Sequence, residues 1–138
     1  MNIRSILGMT LFLYCSALFA FPLELSGTWV QPDKNESGPM FVHVLEHTDH
    51  TLEGVMEIRG SKDCPQPIAF RGTIKEKRVL IASTASIVCE HQGTLTGEVV
   101  KESEDVYTGT FRYTYVMFGW PITIASGGFT LVPVAKKE

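Results

Sequence analysis

The residues best suited to metal chemistry in this sequence are three closely spaced histidines, His43, His47 and His50, with Glu46 and Asp49 between them. Imidazole and carboxylate groups are common ligands of Zn²⁺ and Cu²⁺. A hairpin turn between His47 and His50 pairs these two side chains, but His43 lies about 13 Å further along the strand. We therefore predict two solvated histidines at a polar hairpin tip and no metal site.

The same hairpin determines which side chains face inward, because successive residues of a strand point to opposite faces. Centring the turn on Thr48-Asp49 pairs His43 with Gly54. The predicted inward face carries Phe41, His43, Leu45, Leu52, Met56 and Ile58. His43 is then a polar residue inside an apolar interior, and hence a candidate ligand-binding residue.

Signatures of catalysis are missing from the sequence. It has no Gly-x-Ser-x-Gly elbow and no glycine-rich phosphate loop, and the carboxylates of "KESEDV" read as a solvated turn. A net charge of −3 with scattered lysines does not suit nucleic acid, which requires clustered positive charge. We expect a protein that is not an enzyme and has no cofactor.

The aromatic segment "FRYTYVMFGW" allows three interpretations. Phe111 and Tyr113 alternate with polar residues, so one face of a strand is aromatic. That face is either core or the wall of a ligand pocket, with Trp120 near its opening. Alternatively, the connection around Trp120 is an exposed anchor for a protein partner, because tryptophan is frequent in binding hot spots.

The first twenty residues have the pattern of a secretory signal peptide. Arg4 precedes an uncharged apolar run from Ile6 to Phe19, which is short for a membrane span, and Ala20 offers a cleavage point. We expect cleavage to leave one domain, residues 21–138, in the periplasm or outside the cell, with no membrane span. That domain retains two cysteines, Cys64 and Cys89, and an even count in an oxidising compartment favours a disulfide.

The rest of the sequence reads as strands on short connections, with no convincing helical periodicity. This pattern predicts an all-β fold, an antiparallel up-and-down barrel of eight or nine strands. The predicted strands are residues 26–30, 40–47, 50–59, 67–74, 78–89, 93–100, 105–116, 120–125 and 128–134.

The fourth and fifth strands permit a test of register. A turn centred between Glu76 and Lys77 pairs Phe70 with Ser83, and the same register continued outward pairs Cys64 with Cys89. A disulfide there closes a loop of about 25 residues and contributes about 3 kcal/mol.

The opening strand Leu25-Ser-Gly-Thr-Trp29 resembles the Gly-x-Trp strand of the calycin-type barrels, which include lipocalins and avidins. The resemblance implies a lipocalin-like barrel with a small molecule inside. It also implies that Gly27 lets the strand bend and that Trp29, buried beside the last strand, plugs one end. The biotin-binding pattern is not matched, because Val30-Gln31-Pro32 follows the tryptophan.

A second resemblance is to small exported barrels of Gram-negative bacteria that inhibit secreted metalloproteases or lysozymes. It rests on the size, the leader, the Gly-x-Trp opening and the two cysteines. In the metalloprotease inhibitors an extended N-terminal segment enters the enzyme, and the corresponding segment here is Phe21 to Leu25.

Two functions therefore remain. The first is a barrel that binds a small apolar or amphipathic ligand in its interior; the alternative is a protein-interaction module such as an inhibitor of a secreted hydrolase. The volume of the barrel interior distinguishes the two functions, because only the ligand-binding barrel requires an interior cavity of several hundred Å³. The ligand-binding residues predicted for the first function are His43, Met56, Phe111, Tyr113 and Trp120.

Overall fold

The computed structural model describes residues 22–61, 67–89 and 91–134. The predicted leader and Cys64 therefore lie outside the described residues. The strands are β1 (Glu24–Gln31), β2 (Glu36–His47), β3 (Thr51–Ile58), β4 (Ile68–Lys75), β5 (Arg78–Ser83), β6 (Ile87–Val88), β7 (His91–Ser103), β8 (Val106–Met117) and β9 (Trp120–Pro133). The one helical element in these ranges, the 3-10 turn Pro32–Lys34, is far too short to cross a membrane.

Eight of the strands form a closed antiparallel barrel. The sheet order is β5-β4-β3-β2-β1-β9-β8-β7-β6, and a further ladder between β5 and β7 closes the ring. β6 pairs only with β7 in the described ladders and is an extra strand beside the ring. The predicted all-β barrel is confirmed, and closure removes the free sheet edges along most of the structure.

Trp29 occupies the position predicted from the opening strand. Its side chain is completely buried, and β1 pairs with the last strand, β9. Gly27 allows these two strands to approach closely, because a Cβ at this position would lie 1.8 Å from the backbone oxygen of Thr130.

The register predicted for the fourth and fifth strands is confirmed. Phe70 lies opposite Ser83 and Gly72 opposite Ile81. However, the ladder and β5 both end at Ser83, and the chain then turns so that β6 pairs with β7. The expected straight continuation to Cys89 therefore does not occur, although the disulfide itself stays a prediction because Cys64 is outside the described residues.

The predicted register of the first hairpin is wrong: next to the turn His47 lies opposite Leu52 and not His50, an error of two residues, and beyond the bulge the error is one residue. Val44, and not His43, lies opposite Gly54, and the ladder shifts between Val44 and Glu46. A bulge at Leu45 causes this shift, and a one-residue slip exchanges the two faces of a strand. Leu45 is consequently exposed, and His43 lies on the outer surface, with its ring 3.4 Å from a carboxylate oxygen of Glu57.

The centre of the barrel is filled with apolar side chains. The void that remains there is about 20 Å³, which is room for about one water molecule. Eleven residues line it: Leu25, Met40, Val42, Leu52, Met56, Phe70, Val79, Ile81, Val99, Phe129 and Leu131.

Candidate functional site

The two ends of the barrel differ in chemistry. One end carries the short turns between β2 and β3, between β4 and β5, and between β7 and β8, and these turns are polar or charged. The opposite end carries residues 32–35, the end of β3 and the start of β4, β6 and the β8–β9 turn. We call the second end the aromatic end, because Tyr113 and Tyr115 of β8 and Trp120 at the start of β9 lie toward it.

Gln31 and Glu36 bring polar groups into the barrel at the aromatic end. They are directly opposite each other on β1 and β2, and each lies two residues from a member of the inward-facing pair Trp29 and Gly38. Gln31 is 5% exposed. Its Oε1 and the Oε2 of Glu36 are both buried, and neither has a hydrogen-bond partner among the described residues. Two buried hydrogen-bond acceptors therefore face the interior with no donor from the described part of the chain.

Trp29 lies beneath these acceptors and is held firmly. Its indole Nε1 donates a hydrogen bond of 2.8 Å to the backbone oxygen of Arg59. Gly38 leaves space for this arrangement, because a Cβ there would lie 2.9 Å from the indole nitrogen and 2.5 Å from the Arg59 oxygen. The indole is thus a rigid apolar floor below Gln31.

Phe111 is at the same level of the barrel as Gln31, and the β9 residue between them in the sheet is a glycine. Phe111 pairs with Gly127, and continuing the β1–β9 register places Gln31 next to Gly127. A Cβ on Gly127 would lie 2.7 Å from the Cζ of Phe111, so the ring covers the glycine. Phe111 is 6% exposed, and its side chain therefore faces the barrel interior.

Tyr113 and Tyr115 continue this wall toward the aromatic end. The Tyr113 hydroxyl donates a hydrogen bond to the backbone oxygen of Val88, and the ring is buried. The Tyr115 ring packs edge-on against Tyr113 with centroids 4.5 Å apart, and it also contacts His91. The site is therefore apolar on its aromatic side and polar at Gln31 and Glu36.

The structure separates three of the predicted ligand-binding residues from this site. Trp120 is 73% exposed at the tip of the β8–β9 hairpin, and it is seven residues, or about 23 Å of strand, from Gly127. Met56 packs around the central void instead. His43 is outside the barrel, where its two ring nitrogens face carboxylates of Glu24 and Glu57.

A large concavity is formed by described residues on the outside of the barrel. It is an open groove of about 710 Å³ across β5, β7, β8 and β9. Most of its side chains, including Leu80, Thr110 and Arg112, are exposed, and Glu98 in its floor is already paired with Arg78 at 3.1 Å. Within the described residues, groups of three or more potential metal ligands are not found.

Sequence reasoning missed Gln31 and Glu36 because it placed both in a loop after the first strand. The signal was the alternation Leu25, Gly27, Trp29, Gln31, which puts Gln31 on the same face as the tryptophan. The 3-10 turn is so short that β2 begins at Glu36, directly opposite Gln31.

Comparisons with known proteins show the fold. Neither a family model nor a curated protein matches the chain. Among solved structures, EF1p2_mFAP2b bound to DFHBI is similar, with a TM-score of 0.60 and 17% identity over 86% of this chain and 97% of that one. A bradavidin2–biotin complex has a TM-score of 0.54 and 12% identity over 79% and 96%. A rhizavidin–biotin complex has a TM-score of 0.52 and 10% identity over 82% and 96%.

These similarities confirm the calycin-like barrel that the opening strand resembles. The three similar structures are small barrels in complex with small molecules. Because their identity to this chain is at most 17%, they establish its architecture and not its ligand.

Proposed function

We propose that this protein binds a small amphipathic molecule at the aromatic end of the barrel, and that it acts by binding and not by catalysis. One observation carries the proposal: the acceptor oxygens of Gln31 and Glu36 are buried beside an aromatic wall, and no group in residues 22–61, 67–89 and 91–134 donates to them. Leaving a buried polar group unpaired costs about 1–3 kcal/mol, so a ligand that supplies donors recovers this free energy. The barrels bound to DFHBI or biotin support the proposal, since they show that similar folds hold small ligands.

The ligand chemistry follows from the groups that would contact it. Gln31 Oε1 and Glu36 Oε2 are acceptors, so the ligand presents N–H or O–H donors to them. Tyr115, which is partly exposed, offers aromatic surface to its apolar part, with the buried rings of Tyr113 and Phe111 next along the wall. The ligand lies above the filled centre, because the void of about 20 Å³ is far smaller than the 300 Å³ or more of ordinary ligand pockets.

Export to the periplasm or the cell exterior is a part of this proposal that rests on residues 1–20 alone. The alternative of an inhibitor with a free N-terminal arm is less well supported. Leu25 is buried in β1, and the backbone oxygen of Leu23 accepts a hydrogen bond from Val44, so the described part of that segment belongs to the barrel.

Thermal unfolding in the presence of matched compounds tests the proposal. The panel pairs aromatic amides, ureas and amines with hydrocarbons of the same shape. We expect compounds with donors to raise the unfolding temperature of the wild type more than their hydrocarbon partners do, because only bound ligand stabilises the folded state.

Gln31→Met is the decisive variant, since it keeps the side-chain length and removes the acceptor. We expect affinity for the stabilising compounds to fall about tenfold or more, while the free protein is as stable as the wild type or more stable. Gln92→Met, the same change at an exposed position of β7, is the control. Equal stabilisation of Gln31→Met and wild type by every compound would refute the site.

A further inference from the structure

The β8–β9 turn has an unusual residue at its tip. Met117 pairs with Trp120, so the loop contains only Phe118 and Gly119, with φ values of 52° and 80°. Two positive φ angles define a type I′ turn, in which asparagine or glycine is strongly preferred at the first position. Phenylalanine there strains the backbone, because its Cβ crowds the following carbonyl group in the left-handed region.

The same tip exposes large apolar side chains on every side. Phe118 is 96% exposed and Trp120 is 73% exposed. Met117 shares one face of the hairpin with Trp120, whereas Val116 lies on the other face opposite Pro121. Val116 and Met117 are each 44% exposed. The hairpin tip, which we define as residues 116–122, is thus an apolar wedge and not a one-sided apolar patch.

Charge is absent from this part of the sequence. Between Arg112 and Lys136 there is no Asp, Glu, Lys or Arg, and the whole chain has a net charge of −3. The hairpin tip itself therefore offers no charged side chain to an anionic surface. The apolar side chains on both faces of the hairpin tip are best accommodated by an uncharged apolar environment that contacts both faces.

We propose that the hairpin tip inserts into the interfacial layer of a zwitterionic lipid bilayer. Trp and Phe favour that layer, where rings meet both acyl chains and polar headgroups. A lipid layer contacts both faces of a narrow wedge at once, whereas a protein surface docked on one face would leave Val116 or Trp120 exposed. The inference goes beyond the proposed ligand site and does not depend on it.

Tryptophan fluorescence provides a direct test with the full-length protein and phosphatidylcholine vesicles. Trp29 is completely buried, so a lipid-dependent change in emission reports on Trp120. We expect a blue shift and weaker quenching by acrylamide when vesicles are added, unchanged by high salt. If the wild type shows no blue shift, or no reduction in quenching, at millimolar lipid, the proposal is overturned. The remaining interpretation is then that the tip docks into a pocket on a protein partner.

Phe118→Asn separates membrane insertion from folding. Asparagine suits the left-handed turn position, so this variant unfolds at an equal or higher temperature than wild type. We expect its vesicle partitioning to fall at least tenfold. Leu45→Asn, at an exposed apolar residue near the other end of the barrel, is the control and leaves partitioning unchanged. Partitioning of Phe118→Asn equal to that of wild type also overturns the proposal.

Discussion

Gln31 and Glu36 are polar exceptions inside an apolar barrel. Phe111 at their level and Trp29 two residues further into the barrel are both buried aromatic residues. A buried acceptor without a donor weakens the fold. The two acceptors destabilise the folded protein when no ligand is bound. In a complex, donors of the ligand restore the missing hydrogen bonds and so contribute to affinity. This is the physical basis on which a binding site is proposed at the aromatic end.

Tyr107, at the other end, makes stability depend on alkaline pH. Burial raises the pKa of its phenol above the ordinary value, and the carboxylates of Glu104 and Asp105 raise it further. The folded state thus keeps the phenol protonated at a pH where the unfolded chain releases the proton. The stability linked to Tyr107 is intact below pH 10 or so and is lost as the pH rises through the raised pKa.

We therefore expect Tyr107→Phe to reduce the loss of stability in alkaline solution. Urea unfolding of wild type and variant at a series of pH values from neutral to strongly alkaline measures the effect. The variant shows a shallower decrease in the free energy of unfolding above about pH 10, since phenylalanine has no proton to lose. Parallel decreases in the two proteins would contradict the role assigned to Tyr107.

At the scale of the elements, the bulge in β2 decides which side chains face the core. It sets Val42 and Val44 inward and turns His43 and Leu45 outward. The predicted and the observed register of the β2–β3 hairpin each give an apolar inward face, because β2 carries large apolar side chains on both of its faces. The hydrophobic pattern of this strand therefore could not distinguish them, and the bulge had no clear signal such as a glycine.

The observed register predicts that substitutions at two neighbouring residues of β2 change the free energy of unfolding by very different amounts. Val42→Ala removes two buried methyl groups and should lower the free energy of unfolding by about 2 kcal/mol. His43→Ala, on the outer surface, should change it by less than about 0.5 kcal/mol. Urea unfolding of both variants measures the difference, and a larger loss for His43→Ala would support the inward-facing register instead.

The strands themselves were easier to predict than their boundaries. Alternation and turn residues identified the β4–β5 hairpin with its register, because charged residues at Glu76 and Lys77 mark a short turn between apolar strands. The predicted strands leave a break at Ser126-Gly127, yet β9 runs through these residues. Gly127 is in the strand because the Phe111 ring occupies the space of its missing side chain, a tertiary contact that the local sequence does not encode.

On the scale of the whole molecule, the closed barrel was predictable and the filling of its interior was not. Strand number and short connections imply closure, whereas the interior volume depends on how side chains from different strands interlock. Here they leave about 20 Å³ at the centre. Any ligand site must therefore lie toward an end, and the two unpartnered acceptors favour the aromatic end.

A disulfide between Cys64 and Cys89 remains a prediction about the whole chain. We expect the oxidised protein to have no thiol in residues 21–138 that can be alkylated under native conditions. Reduction should lower the free energy of unfolding by about 3 kcal/mol, because the bond restricts a loop of about 25 residues in the unfolded state. Intact-mass measurement after alkylation, with and without reductant, shows whether the two cysteines are bonded. Alkylation of both cysteines in the absence of reductant would exclude the disulfide.

The most direct test of the proposed ligand site is a crystallographic screen in which crystals are soaked with small aromatic amides, ureas and amines. We predict that bound molecules place an N–H or O–H group within about 3.2 Å of Gln31 Oε1 or Glu36 Oε2. The aromatic ring of each bound molecule should lie against Phe111 or Tyr113. Ordered water alone on both oxygens, with every bound molecule located elsewhere, would contradict it.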